Sequence, residues 1–102
     1  MKGNIFLIGY RCTGKTTVGR LLASRLGMAF VDADDYLVKK AGKSIRDIFA
    51  EQGEPAFRDL EQQCIAELAA GSNQVIATGG GAVLRKANVD AMRNSGTIVL
   101  LE

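Results

Sequence analysis

Apolar residues fall into two kinds of run along this 102-residue chain. Ile5-Phe6-Leu7-Ile8, Met28 to Val31, Val75 to Thr78 and Thr97 to Leu101 are short and nearly continuous, bounded by glycine or polar residues, which predicts four buried β-strands. Between them the period changes. Val18, Leu21, Leu22 and Leu26 recur at helical spacing and Gly27 follows where a C-cap belongs, predicting a helix over 15–26. A helix from about Asp35 should end at Gly42, and Ser44 with Asp47 resembles a capping box opening a short helix through Ala50, stopped near Gly53. Pro55 suits the first turn of another helix, in which Phe57, Leu60, Cys64, Ile65 and Leu68 share one face before Gly71. A shorter helical pattern covers 86–93. Strands alternating with helices predict an α/β fold, a parallel sheet with helices on both faces, in a single domain over 1–102.

Composition narrows the class without naming a chemistry. A hydrophobic share of 47% and a charged share of 24% exclude disordered and fibrous chains. The net charge of +2 is too small to argue for nucleic acid, and the basic cluster Lys39, Lys40, Lys43 and Arg46 reads as a solvated helix face without interleaved aromatics. The apolar run after Lys2 is too brief for a signal or membrane segment, so a cytoplasmic protein with no membrane partner is expected. With no histidine, and with Cys12 and Cys64 lacking ligand spacing, zinc sites and histidine-based triads are excluded. Cys64 reads as a small buried apolar residue.

Three of the four strands end in chemically loaded segments, and ligands of such sheets gather at the carboxyl ends of the strands. After the first strand, Gly9-Tyr-Arg-Cys-Thr-Gly-Lys-Thr16 leads into a helix, the setting of a phosphate-binding loop. Its backbone N–H groups and the helix N-terminus would cradle phosphate oxygens; Lys15 would reach the β- and γ-phosphates and Thr16 would bind Mg²⁺. Cys12, Thr13, Gly14, Lys15, Thr16 and Thr17 are thus the candidate ATP contacts, Thr17 being a first-turn helix residue. Cys12, beside a helix N-terminus that favours thiolate, is a candidate for alkylation blocked by ATP.

The second strand ends at Asp32-Ala33-Asp34-Asp35, where two carboxylates two residues apart would point the same way if the strand persists that far. A polar turn with Asp35 as helix N-cap explains one aspartate, but clustered like charges repel unless a cation or ligand offsets them. The third strand enters Gly79-Gly80-Gly81, either a plain turn or a place where a ligand approaches backbone closely. Arg58 near a helix start is disfavoured by the dipole, and Glu61 three residues on is its expected partner. The pair is either a surface contact or a means of holding Arg58 for bidentate binding of a carboxylate or phosphate.

The phosphate loop, Phe30-x-Asp32-x-Asp34, Ile48-Phe49, Gly53-Glu54, Phe57-Arg58-x-x-Glu61 and Thr78-Gly79-Gly80-Gly81 together resemble shikimate kinase over nearly the whole chain. The resemblance implies a P-loop NTPase fold of the nucleoside-monophosphate-kinase type and transfer of the ATP γ-phosphoryl to the 3-hydroxyl of shikimate, a step of aromatic biosynthesis. It implies that Lys15 stabilises the transferring group, Thr16 and Asp32 serve Mg²⁺, and Asp34 contacts the acceptor hydroxyl and acts as base. Arg58 would bind the shikimate carboxylate, with Gly79, Gly80 and Gly81 lining the site and Phe49 and Phe57 either walling it or packing in the core. A monomer is expected. Two departures stand out: Cys12 takes the place of a further loop glycine, and four of the five strands are present without the lid, catalytic arginine, further shikimate-binding arginine and adenine-binding segment. Removing a charge-stabilising arginine costs about 10³ to 10⁵ in phosphoryl-transfer rate, so poor turnover is expected of these 102 residues. A non-catalytic nucleotide-binding module and another small-molecule kinase, for gluconate or a nucleotide, are the alternatives.

Overall fold

Each predicted strand and helix is present in the computed structural model, which describes residues 3–9, 15–79 and 81–100. In chain order these are β1 (Asn4–Ile8), α1 (Lys15–Leu26), β2 (Ala29–Asp32), α2 (Ala33–Ala41), α3 (Ile45–Ala69), β3 (Gln74–Ala77), a 3₁₀ turn (Ala82–Leu84), α4 (Lys86–Ser95) and β4 (Gly96–Leu100). All strand pairs are parallel, in the order β2-β3-β1-β4, with Phe6 opposite Ile76 and Ile98, and Val31 opposite Ile76.

Alternation along the strands sends neighbouring side chains to opposite faces, and two cores follow. Phe6 and Ile76 pack on Ile65 and Leu68 of α3 and Met92 of α4, while Leu7 and Val75 pack on Ala23 of α1. A third cluster, Leu37, Ile48, Phe57 and Cys64, joins α2 to α3. Cys64 is buried, as its place on the apolar face predicts. On the α1 face one helix is all the cover among the described elements, and Val18, Leu21 and Leu26 remain exposed.

Two boundaries differ from expectation. The second strand runs through Asp32 and α2 begins at Ala33, two residues before the expected Asp35. Asp32 is the cap: its Oδ1 accepts from the N–H groups of Asp34 at 2.9 Å and Asp35 at 3.2 Å. Asp32 and Asp34 therefore do not share an extended segment, because Asp34 already lies in the first helical turn. The two helices expected around Gly53 form one kinked element, with Ser44 Oγ capping its start by accepting from Asp47 N–H at 3.1 Å. The kink is at Gly53 itself, whose φ of 85° and ψ of 171° interrupt the helix two residues before Pro55. A positive φ there favours glycine.

Candidate active site

The carboxyl ends of β1, β2 and β3 lie side by side, with β3 central among them. Gly9 leaves β1 with φ 148°, and Lys15, Thr16 and Thr17 open α1. Tyr10 to Gly14, with the candidate contacts Cys12, Thr13 and Gly14, and also Gly80, lie outside the described residues.

Beside the β2 and β3 ends is a cavity of about 190 Å³ lined by Asp34, Ile45, Phe49, Phe57, Arg58, Glu61, Gly79 and Gly81. That is below the roughly 300–1,000 Å³ of drug-sized sites and suits a small metabolite. α2 brings Asp34, the two halves of α3 bring the aromatic and charged walls, and the turn after β3 brings the glycines. The Phe49 and Phe57 rings meet at 4.8 Å between centroids, tilted 36°. Phe57 is buried and Phe49 is partly exposed, so both line the cavity while Phe57 also belongs to the core.

Arg58 is held on two sides. Its Nη1 donates to Glu61 Oε1 at 3.0 Å and its Nε to Glu54 Oε2 at 3.3 Å, with the guanidinium carbon 5.2 Å from the Phe57 ring centre. The Glu61 side chain is only 6% exposed and that of Arg58 19%, so this pair is no solvated surface contact. Burial pushes the Glu61 carboxyl above its usual range, and hydrogen bonding to Arg58 pulls it back only in part. Burial opposes the Arg58 charge, yet its bonds to Glu61 and Glu54 leave its pKa raised.

The glycines are there because side chains approach them. A Cβ on Gly79 would sit 3.1 Å from Asp34 Oδ1, and one on Gly81 would sit 2.3 Å from Arg58 Nη1. At Gly79 and Gly81 the turn thus abuts both charged walls. Of the acceptor-site residues read from sequence, Asp34, Arg58, Gly79 and Gly81 converge. Asp32 does not join them; it caps α2 and lines a separate depression with Arg20, Phe30, Asp35, Tyr36 and Lys39. Ile45 was not foreseen, although its position just after the Ser44 cap was legible. Asn88, which donates to Ala82 after the glycine turn, and Arg85, which ties the end of that segment to Asp59 and Gln62 of α3, were also missed.

A protein-family model described as shikimate kinase matches residues 11–102. The chain belongs to the shikimate kinase family. A shikimate kinase of Symbiobacterium thermophilum is 54% identical over 99 residues, 97% of this chain and 57% of that protein. One of Moorella thermoacetica is 47% identical over 102 residues, 100% of this chain and 59% of that protein. The solved shikimate kinase from Acinetobacter baumannii in complex with shikimate superposes with a TM-score of 0.95 at 41% identity, covering 97% of this chain and 55% of that one. The chain thus spans a little over half the length of these shikimate kinases. Their shared fold supports the P-loop α/β class for the part spanned here. Among the described residues no helix is long and apolar enough to cross a membrane.

Proposed function

We propose that this chain carries the acceptor pocket and phosphate-loop end of a kinase that transfers the ATP γ-phosphoryl to the shikimate 3-hydroxyl. The observation that carries the reading is the convergence of Arg58 and Asp34 on the Gly79–Gly81 turn in one small cavity. Shikimate is a carboxylate bearing three hydroxyls, and it needs a cation and an acceptor a few ångströms apart. The Arg58 fork suits its carboxylate bidentately. Asp34 would accept the hydrogen bond of the 3-hydroxyl and take its proton as the oxygen bonds to the γ-phosphorus and the bond to the β–γ bridging oxygen breaks. Phe49 and Phe57 would cover the ring and exclude water, and Gly79, Gly80 and Gly81, lacking side chains, would let it approach closely.

On the donor side, Cys12, Thr13, Gly14, Lys15, Thr16 and Thr17 would hold the nucleotide, with Lys15 on the transferring phosphoryl. Thr16 and Asp32 are the residues to hold Mg²⁺, which neutralises phosphate charge when bound. β3 separates β2 from β1, about 10 Å at two strand spacings. Mg²⁺ keeps most of its waters, so Asp32 suits a bond to those waters. The same reading has a monomeric, cytoplasmic protein without nucleic-acid or membrane partners, consistent with the small net charge of +2.

Calorimetric titration with shikimate in the presence of ADP and Mg²⁺ tests it. Shikimate should bind, and Asp34→Asn and Arg58→Ala should each weaken binding about tenfold or more, the loss of one charge-assisted hydrogen bond. Binding that neither substitution weakens would overturn the acceptor-site assignment. Shikimate-dependent ADP release by the 102 residues should be slow.

A further inference from the structure

Asn88 breaks the pattern of its helix. It sits one turn before Met92 on the inward face of α4, and the two are 1% and 0% exposed. Helical periodicity calls for an apolar residue there. The amide is only half satisfied: Nδ2 donates to the Ala82 carbonyl at 2.9 Å, while Oδ1 has no hydrogen-bond partner among the described residues. A buried, half-satisfied amide destabilises, and such local exceptions mark functional constraints. Nor does Asn88 cap its own helix, whose first turn has no side-chain cap at Arg85. Its side chain reaches back six residues to the segment that follows the glycine turn.

Ala82 is the keystone of that turn. It is fully buried, its N–H donates to Gly79 O at 3.1 Å, and Leu84 N–H donates to Gly81 O at 3.1 Å. Fixing the Ala82 carbonyl therefore fixes the backbone of Gly79 and Gly81, whose missing side chains make room for Asp34 and Arg58. Arg85 also ties this segment down, donating to Asp59 Oδ1 at 2.8 Å and Gln62 Oε1 at 2.9 Å. The Asp59 side chain is 74% exposed, however, and exposed pairs hold weakly. The buried Asn88 bond is the firmer of the two.

We propose that Asn88 is a positioning residue for acceptor recognition: by pinning Ala82 it holds the glycine turn against Asp34 and Arg58. It touches no substrate and acts through the turn, and the inference rests on the shikimate reading above.

Asn88→Leu removes the donor while keeping four side-chain heavy atoms branched at Cγ. Two measurements on the 102-residue chain separate positioning from general destabilisation. Amide exchange at Ala82 and Leu84 should speed up at least about tenfold while β1 and β3 amides hold their rates. Shikimate affinity, measured with ADP and Mg²⁺, should fall about tenfold with ADP affinity unchanged. Unchanged exchange at Ala82 and Leu84, or parallel loss of both ligands with faster exchange throughout the sheet, would overturn the role. If Asn88→Leu does not fold, Asn88→Ser, with its shorter hydroxyl donor, gives the same two readouts. If the unsubstituted chain binds no shikimate, the shikimate reading fails, and the exchange rates alone then decide whether Asn88 holds the turn.

Discussion

Gly81→Ala should separate folding from recognition at the candidate site. The added Cβ would lie 2.3 Å from Arg58 Nη1, 2.6 Å from Nη2 and 2.7 Å from Cζ, and no real contact survives at those distances. The backbone itself has room for alanine, with φ −90° and ψ 0°. What must give is the end of a long side chain, and the guanidinium has to withdraw by about 1.1 Å to reach the 3.4 Å of an ordinary contact. The guanidinium can shift by giving up its bond to Glu54, whose side chain is 59% exposed, while keeping the buried Glu61 paired. Losing that exposed pair costs about 0–1 kcal/mol, so thermal unfolding followed by circular dichroism should shift by less than about 8 °C in a domain of this size. Recognition pays more heavily. A charge-assisted hydrogen bond contributes about 1.5–3 kcal/mol, so misplacing one of the Arg58 fork should weaken shikimate binding roughly 10- to 150-fold. Calorimetry with ADP and Mg²⁺ reads that directly, with ADP affinity as the control. Shikimate affinity within about threefold of the parent at unchanged melting temperature would refute Arg58 as the carboxylate anchor. A larger collapse of stability would show that the Arg58 side chain cannot yield as the geometry requires.

Asp32→Asn should keep α2 intact, because asparagine caps as well as aspartate, whereas Asp32→Ala should cost about 1 kcal/mol in chemical denaturation. Both should weaken the Mg²⁺ dependence of ADP affinity, and an unaltered dependence in both would remove Asp32 from the metal's surroundings. Burial raises the pKa of the Glu61 carboxyl above its ordinary value of 4.5, so its contribution to stability is fully present below that ordinary value and is lost as pH rises through the folded one. The stability of the parent relative to Glu61→Gln should therefore increase as urea melts are moved from neutral to acid pH, and a difference that is flat or decreases would contradict the assignment. Alkylation should modify one thiol quickly: Cys64 is 1% exposed and its pKa is raised by burial, leaving Cys12, which ATP should protect. Equal labelling of Cys12 with and without ATP would take it out of the nucleotide site.

Local patterns made most of the fold legible. The strands were continuous apolar runs, α1 was bounded by its own spacing and Gly27, and the Ser44 cap formed as read. The misplaced start of α2 shows where local rules compete. Asp32, Asp34 and Asp35 can all cap or all ligate, and only the end of the β2 ladder, opposite Ala77, decides that Asp32 turns to cap the helix. Periodicity also said nothing about strand order, which depends on contacts between residues distant in the chain. At the site, Arg58 and Glu61 could be paired from their spacing, but not the depth of their burial, because Phe57 and the α2–α3 packing supply it. Asn88 was hidden because a polar residue within a short helical pattern reads as solvent-facing until Met92 shows which face is inward.

The strand order sets a ruler. Because β3 runs between β1 and β2, Ala77 at its carboxyl end is one ladder spacing from Leu7 of β1, about 4.8 Å. That interval is built from backbone hydrogen bonds, and no side-chain substitution lengthens it. A descendant of this scaffold that took a bulkier acceptor would have to find space outward, in α2 and around the Gly53 kink of α3, rather than between the strands. The Gly53 kink divides the two stretches of α3 that wall the pocket, Phe49 before it and Phe57 and Arg58 after it, so a change in the bend angle there would alter the width between them.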